Sequence, residues 1–132
     1  MQLKIISLFV FISFIFSFTC KSQSDSSITY STSKKSKSFI GTASFYAIKF
    51  EGKKTANGEI FRHNKYTAAC NKIPLGTMVR VTNLSNNKSI EVKINDRLHA
   101  KNHRLIDLTS FCAKELGFYS KGLAKVKVEV LD

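Results

Sequence analysis

Met78-Val79-Arg80-Val81-Thr82-Asn83-Leu84 alternates apolar and polar residues, Ser89-Ile90-Glu91-Val92-Lys93-Ile94-Asn95 does the same, and the four residues between, Ser85-Asn86-Asn87-Lys88, are turn formers. Successive side chains of a strand point to opposite faces, so Val79 and Val81 on one run and Ile90, Val92 and Ile94 on the other share a buried face, and the turn between them predicts a hairpin. Two more runs carry the same period. Leu123 to Leu131 places Ala124, Val126, Val128 and Val130 inward with Lys125, Lys127 and Glu129 outward, and Gly41 to Ala47 places Ala43, Phe45 and Ala47 on one face. One helix is predicted over Thr109 to Leu116, capped by Asp107 or Thr109 and stopped by Gly117, with Leu108, Phe111, Cys112 and Leu116 at helical spacing toward the sheet. Lys49 to Gly58 is polar with two glycines and reads as loop. About six short strands and one brief helix over 39–132 predict a mainly β fold, a small closed barrel, because closure removes the edges that a flat sheet would leave open.

Acids are few in this chain, nine against 21 lysines and arginines. Three of them, Glu59, Asp96 and Asp107, stand where a strand-like run meets a loop or a helix start. Carboxylates carried on loops above a rigid scaffold are where binding and catalytic groups concentrate. Asp107 has a structural reading as well, that of a helix N-cap.

Gly41-Thr42-Ala43-Ser44-Phe45-Tyr46, Thr55-Ala56-Asn57-Gly58-Glu59, Leu75-Gly76-Thr77, Val79-Arg80-Val81-Thr82-Asn83, Asn95-Asp96-Arg97 and Arg104-Leu105-Ile106-Asp107-Leu108 follow one another in an order that resembles the rare lipoprotein A family of bacterial envelope proteins. The likeness runs from Gly41 to Leu131. It implies a six-stranded double-psi β-barrel, related to expansins and barwin, and endolytic cleavage of peptidoglycan by a lytic transglycosylase reaction. In that reaction the muramyl C6 hydroxyl attacks its own anomeric carbon and leaves a 1,6-anhydro end. One proton must reach the leaving oxygen and another must leave the attacking hydroxyl, which is work for a carboxyl group, with a second, ionised carboxylate facing the oxocarbenium-like transition state. The resemblance places this pair at Asp96, as acid/base, and Glu59, as second carboxylate or substrate positioner. Tyr46, Thr55, Asn57 and Arg97, in the same motifs, and His99, in the loop beyond, are expected to bind substrate. A catalytically silent, expansin-like glycan-binding barrel is the alternative.

The chain departs from the family pattern twice: Cys70 stands where the family commonly has histidine, and Leu98 where it has glycine followed by proline. A thiol does not replace imidazole as a proton carrier near neutral pH without a strong perturbation. His99 and His103 are four apart in a loop-like stretch with no third ligand at a recognisable spacing, so no metal site and no cofactor is expected. His63 reads as a surface loop residue. For Cys70 and Cys112 two readings stand: a disulfide, which an exported chain can keep, or two buried thiols acting as small apolar residues.

Residues 1–19 read as a secretory signal, with Lys4 ahead of an apolar run, Ile5 to Phe18, that is too short to span a bilayer comfortably. Cys20 follows directly, which resembles the lipidated cysteine of a bacterial lipoprotein signal, with cleavage by an ordinary signal peptidase as the alternative, and residues 20–38 form a serine- and lysine-rich linker expected to stay disordered. The folded domain is expected over 39–132. From Phe39 onward 16 basic residues face eight acidic ones, which reads either as a surface for an anionic partner or as a solvated surface charged for solubility. No aromatic-basic RNA motif or helix-turn-helix pattern is present, so nucleic acid is not expected. The expected partner is peptidoglycan glycan, bound by a monomer in the bacterial cell envelope that meets the membrane only if Cys20 carries a lipid anchor.

Overall fold

The computed structural model describes residues 35–131. Strands β1 (Ser38–Phe45), β2 (Thr67–Ala69), β3 (Met78–Asn83), β4 (Ser89–Asp96), β5 (Ile106–Leu108) and β6 (Ala124–Val130) close into a barrel, with helix α1 (Ser110–Glu115) between β5 and β6. Around the barrel the order is β1-β5-β2-β4-β3-β6. The pairs β1/β5 and β2/β4 are parallel and the other four antiparallel. The expected signal and lipidation site lie outside the described residues, as does most of the linker.

The hairpin forms as β3 and β4, with Val79 opposite Val92 and Val81 opposite Ile90. Val79, Val81, Val92 and Ile94 are fully buried, together with Val126 and Val128 of β6 and Ile106 and Leu108 of β5, and Ile90 is partly buried against them. Leu116 and Phe118, from the end of α1 and the turn after it, fill the same core. Asn83, at the end of β3, ties hairpin to helix: its Nδ2 donates to Leu116 O at 2.8 Å, and Asn86 Nδ2 adds a second bond at 2.9 Å. A carbonyl that the helix leaves without an internal partner is thereby satisfied.

Several expectations are corrected. The first strand stops at Phe45, because Tyr46 N turns to Leu108 O (3.0 Å), and Ala47 is exposed rather than sharing the face of Ala43. The stretch read as plain loop holds a 3-10 turn, Ile48–Phe50, and a bridge between Lys54 and Ile60. Asp107 does not cap the helix: Thr109 does, its Oγ1 accepting from Cys112 N at 3.2 Å. Leu108 belongs to β5 and Phe111 faces solvent, so Cys112, Ala113 and Leu116 supply the packed side of the helix. Cys70 and Cys112 are both buried and free, so the bridge is not formed. Each fills core as a small side chain, the Cys112 thiol has its own acceptor in Lys65 O (3.6 Å), and burial pushes its ionisation upward.

Candidate active site

An open cleft of about 650 Å³ lies beside the ends of β1, β4 and β5, and Tyr46, Asp96, Arg97, His99 and Asp107 are among its lining residues. Asp96 reaches it through a local irregularity. Ala68 of β2 pairs with Ile94, but Ala69 pairs with Asp96, so one residue of β4 is skipped. Simple alternation would carry Asp96 inward behind Ile90, Val92 and Ile94. A bulge re-aims the side chains beyond it, and here Asn95 is buried while Asp96 opens into the cleft.

Three donors converge on the Asp96 carboxylate. Tyr46 Oη donates to Oδ2 at 2.7 Å, and the backbone N–H groups of Ala56 and Arg97 donate to Oδ1 at 2.9 and 2.8 Å. A carboxylate offers about four lone-pair sites, so one, on Oδ2, is claimed by none of these donors. The Tyr46 ring is wedged between Phe61, 4.3 Å away, and Phe50, edge-on at 5.7 Å. Burial, reinforced by the hydrogen bond to Asp96, holds the Tyr46 hydroxyl far above its ordinary ionisation range, so it remains a donor.

The Ala56 donor is supplied by a hairpin that Thr55-Ala56-Asn57-Gly58-Glu59 dictates. Thr55 N donates to Glu59 O at 2.8 Å and Gly58 N to Thr55 O at 3.0 Å, and Gly58 sits at φ +88°, a conformation that costs glycine little. Asn57 Oδ1 accepts from the Thr55 hydroxyl at 2.7 Å and from Glu59 N at 3.1 Å, which locks the tip. Asn57 N donates to Asn95 O at 3.1 Å, docking the tip on β4. Thr55 and Asn57, expected to meet substrate, thus spend their side chains inside the hairpin.

Glu59 turns toward the wall of the barrel. Its carboxylate is held by Lys93 Nζ, by Asn95 Nδ2 at 3.2 Å and by Asn57 Nδ2 at 2.8 Å, and these hydrogen bonds, Lys93 first, lower its pKa to about 2. It is therefore ionised near neutral pH, and it does not line the cleft. The carboxylate that shares the cleft with Asp96 is Asp107, which accepts from Ser44 Oγ at 2.5 Å and from Arg104 Nε and Nη2 at 2.9 and 3.0 Å. Sequence reading gave Asp107 to the helix; the Arg104-to-Asp107 spacing was the signal for a different partner.

Arg97 lines the cleft, but its Nη1 binds two main-chain oxygens, Cys70 O and, at 2.7 Å, Ile73 O, so it fastens the segment after β2. His99 is exposed on the cleft wall with Nδ1 accepting from Lys101 N at 3.2 Å. Cys70 is close to Asp96 through the backbone, its N donating to Asp96 O at 3.1 Å, yet its side chain lies in the core and does not line the cleft. His63 is not a free surface residue: Nδ1 accepts from Ser110 N at 3.3 Å, Nε2 faces Ala47 O at 3.3 Å, and the ring meets Phe61 edge-on. Among the described residues no group of three or more His, Cys, Asp or Glu is placed to hold a metal ion.

A family model described as lytic transglycolase matches residues 38–128 of the chain. The chain is 43% identical over 107 residues to the endolytic peptidoglycan transglycosylase RlpA of Haemophilus influenzae, which covers 78% of this chain and 37% of that protein. It is 50% identical over 93 residues to the protein of the same name from Pseudomonas aeruginosa, covering 70% and 27% respectively. The chain therefore spans well under half the length of either relative. Among solved structures, a Streptomyces papain inhibitor superposes with a TM-score of 0.59 at 19% identity, over 73% of this chain and 96% of that one. An expansin of Clavibacter michiganensis in complex with cellohexaose gives 0.56 at 16% identity, over 73% and 51%. At such identities the likeness is one of fold.

Proposed function

Because the chain belongs to the lytic transglycolase family of double-psi β-barrels, we propose that its cleft cuts peptidoglycan glycan strands between N-acetylmuramic acid and N-acetylglucosamine, without water, leaving 1,6-anhydromuramyl ends. The observation that carries this reading is the setting of Asp96: a carboxyl group in an open cleft, fixed by three donors, with one lone pair of Oδ2 unclaimed by them. A proton on that site passes to the leaving glycosidic oxygen as its bond to C1 breaks. The emptied site then takes the proton of the muramyl C6 hydroxyl as that oxygen closes on C1, so a single group serves as acid and then base. Tyr46, Ala56 N–H and Arg97 N–H hold it still between the two transfers.

Glu59 acts in this reading through the hairpin, as a permanent negative charge that ties Lys93, Asn95 and Asn57 together and so fixes Ala56 N–H against Asp96. Asp107, bound by Arg104, supplies the second negative charge on the cleft wall. Residues 1–19 would export the chain and Cys20 would carry its lipid, placing the domain in the cell envelope. A silent glycan-binding barrel is the second reading, favoured by Cys70, whose side chain lies in the core where the resemblance has a histidine.

Digestion of purified glycan strands, followed by mass spectrometry of the ends, separates the two. Products with 1,6-anhydromuramyl ends are expected. Reducing ends would mean hydrolysis, and intact strands that remain bound would mean the binding barrel.

A further inference from the structure

We propose that Lys49 and Lys53, gathered around Phe50 with Lys54 beside them, form a subsite for a carboxylate carried by the glycan. The proposal rests on the reading of the cleft as a peptidoglycan site and adds what that site selects. All four residues line the cleft. The ammonium groups of Lys49 and Lys53 lie over the same ring, 5.6 and 5.3 Å from its centroid. That ring in turn touches Tyr46, the donor to Asp96. The cationic corner is thus two aromatic side chains, Phe50 and Tyr46, away from the proposed reacting carboxyl group.

Ordinary surface lysines point apart, and many are paired with neighbouring acids. These are held together by backbone: Phe50 N donates to Ala47 O (3.1 Å), Lys53 N to Phe50 O (3.1 Å), Gly52 N to Phe61 O (2.9 Å) and Phe61 N to Lys53 O (2.8 Å). The acid within the same loop, Glu51, is committed elsewhere, to Arg62 at 3.3 Å and to His63 N at 2.8 Å. Among the described residues none of Lys49, Lys53 and Lys54 takes part in an ion pair. Of the two acids in the cleft, Asp107 is matched by Arg104. Like charges fixed near one another on a cleft wall repel, and an incoming anion relieves that repulsion. On this polymer the anion is a carboxylate, either the lactyl group of muramic acid or an acidic group of the stem peptide.

The test uses the full chain carrying Asp96→Asn, so that strands are not consumed, and measures binding to three soluble glycan preparations. One carries stem peptides, one has the peptides removed so that the lactyl carboxylate is free, and one has its carboxylates capped as methylamides. A preference of about fivefold at low salt for at least one carboxylate-bearing preparation over the capped one is expected from two partly exposed ion pairs. Adding Lys49→Gln and Lys53→Gln brings that ratio to within about twofold of unity, and Lys49→Arg with Lys53→Arg restores it. The tighter of the two carboxylate-bearing preparations identifies the source of the anion. Equal binding of capped and uncapped strands by the parent, or a preference that survives the double glutamine change, overturns the subsite. Charge preference alongside no 1,6-anhydro product from the chain with Asp96 intact would leave the subsite standing and remove the transglycosylase reading; product without preference would do the reverse.

Discussion

In the proposed reaction Asp96 and Tyr46 divide one task between a titratable group and its holder. Asp96→Asn keeps the shape of the side chain and deletes the titratable proton, so the barrel should fold as before while strand cleavage falls by about 100-fold or more. Product formation at the parent rate by the purified variant would refute the assignment. Tyr46→Phe keeps the ring between Phe61 and Phe50 and removes only the donor to Asp96 Oδ2. A hydrogen bond to a charged group contributes about 1.5–3 kcal/mol, so the melting temperature should fall by several degrees, and kcat, compared at matched fractions folded, should drop about 10- to 100-fold. Glu59 acts at another pH. Its pKa falls from 4.5 to about 2 on folding, so its ionised form favours the folded state fully above 4.5, and that contribution is lost as pH falls toward 2. Acid denaturation curves of the parent and of Glu59→Gln should therefore differ in slope between about pH 4.5 and 2 and run parallel above that window. Identical slopes throughout would show that the Lys93 contact is idle in solution.

Among the elements, the Lys54-to-Ile60 hairpin is the one whose geometry reaches the cleft without lining it by its tip. Gly58 at φ +88° has open space where a Cβ would sit, so Gly58→Ala introduces backbone strain and no clash. That strain is about 1–2 kcal/mol, a loss of several degrees in melting temperature for a domain of this size. Activity should fall further than stability does, because relaxing the turn moves Ala56 N–H away from Asp96 Oδ1; equal losses, compared at matched fractions folded, would make the hairpin merely structural. The same element shows what sequence could and could not deliver. β3, β4 and β6 have six to eight residues each, enough for alternation to declare a strand and its buried face. β2 and β5 have three residues apiece, all buried, and offer no period to read. The motif of residues 55–59 was legible as a unit through resemblance, and Asp96 with it. The direction of the Glu59 carboxylate was not, because Lys93 and Asn95 reach it from a strand more than 30 positions along the chain. Asp107 stands two residues before a helix cap, where local reasoning hears a capping signal, and Ser44 on β1, which redirects it, is its register partner only once the barrel has closed.

At the scale of the whole molecule, charge is distributed by pairing. Five acids of the described domain are engaged one to one: Glu51 with Arg62, Glu59 with Lys93, Glu91 with Arg80, Asp107 with Arg104 and Glu129 with Lys127. The lysine excess is therefore left over after the acids have been used, and part of it, at Lys49, Lys53 and Lys54, is collected on the cleft wall. Such charge acts over the screening length of the solution, about 10 Å at 0.1 M salt and 3 Å at 1 M, so under the proposed function it would govern encounter with a polyanionic wall, and hold on it, more than the fit of a sugar in the cleft. Binding of the chain to isolated sacculi should accordingly weaken by about tenfold or more between low salt and 0.5 M, whereas binding of short neutral chito-oligosaccharides should change little. Co-sedimentation with sacculi and titration with the oligosaccharides, run over the same salt series, make the comparison. Sacculus binding that ignores salt would move the source of affinity from the lysines to ring stacking and hydrogen bonds around Tyr46 and Phe50, and the cationic excess would then serve solubility alone.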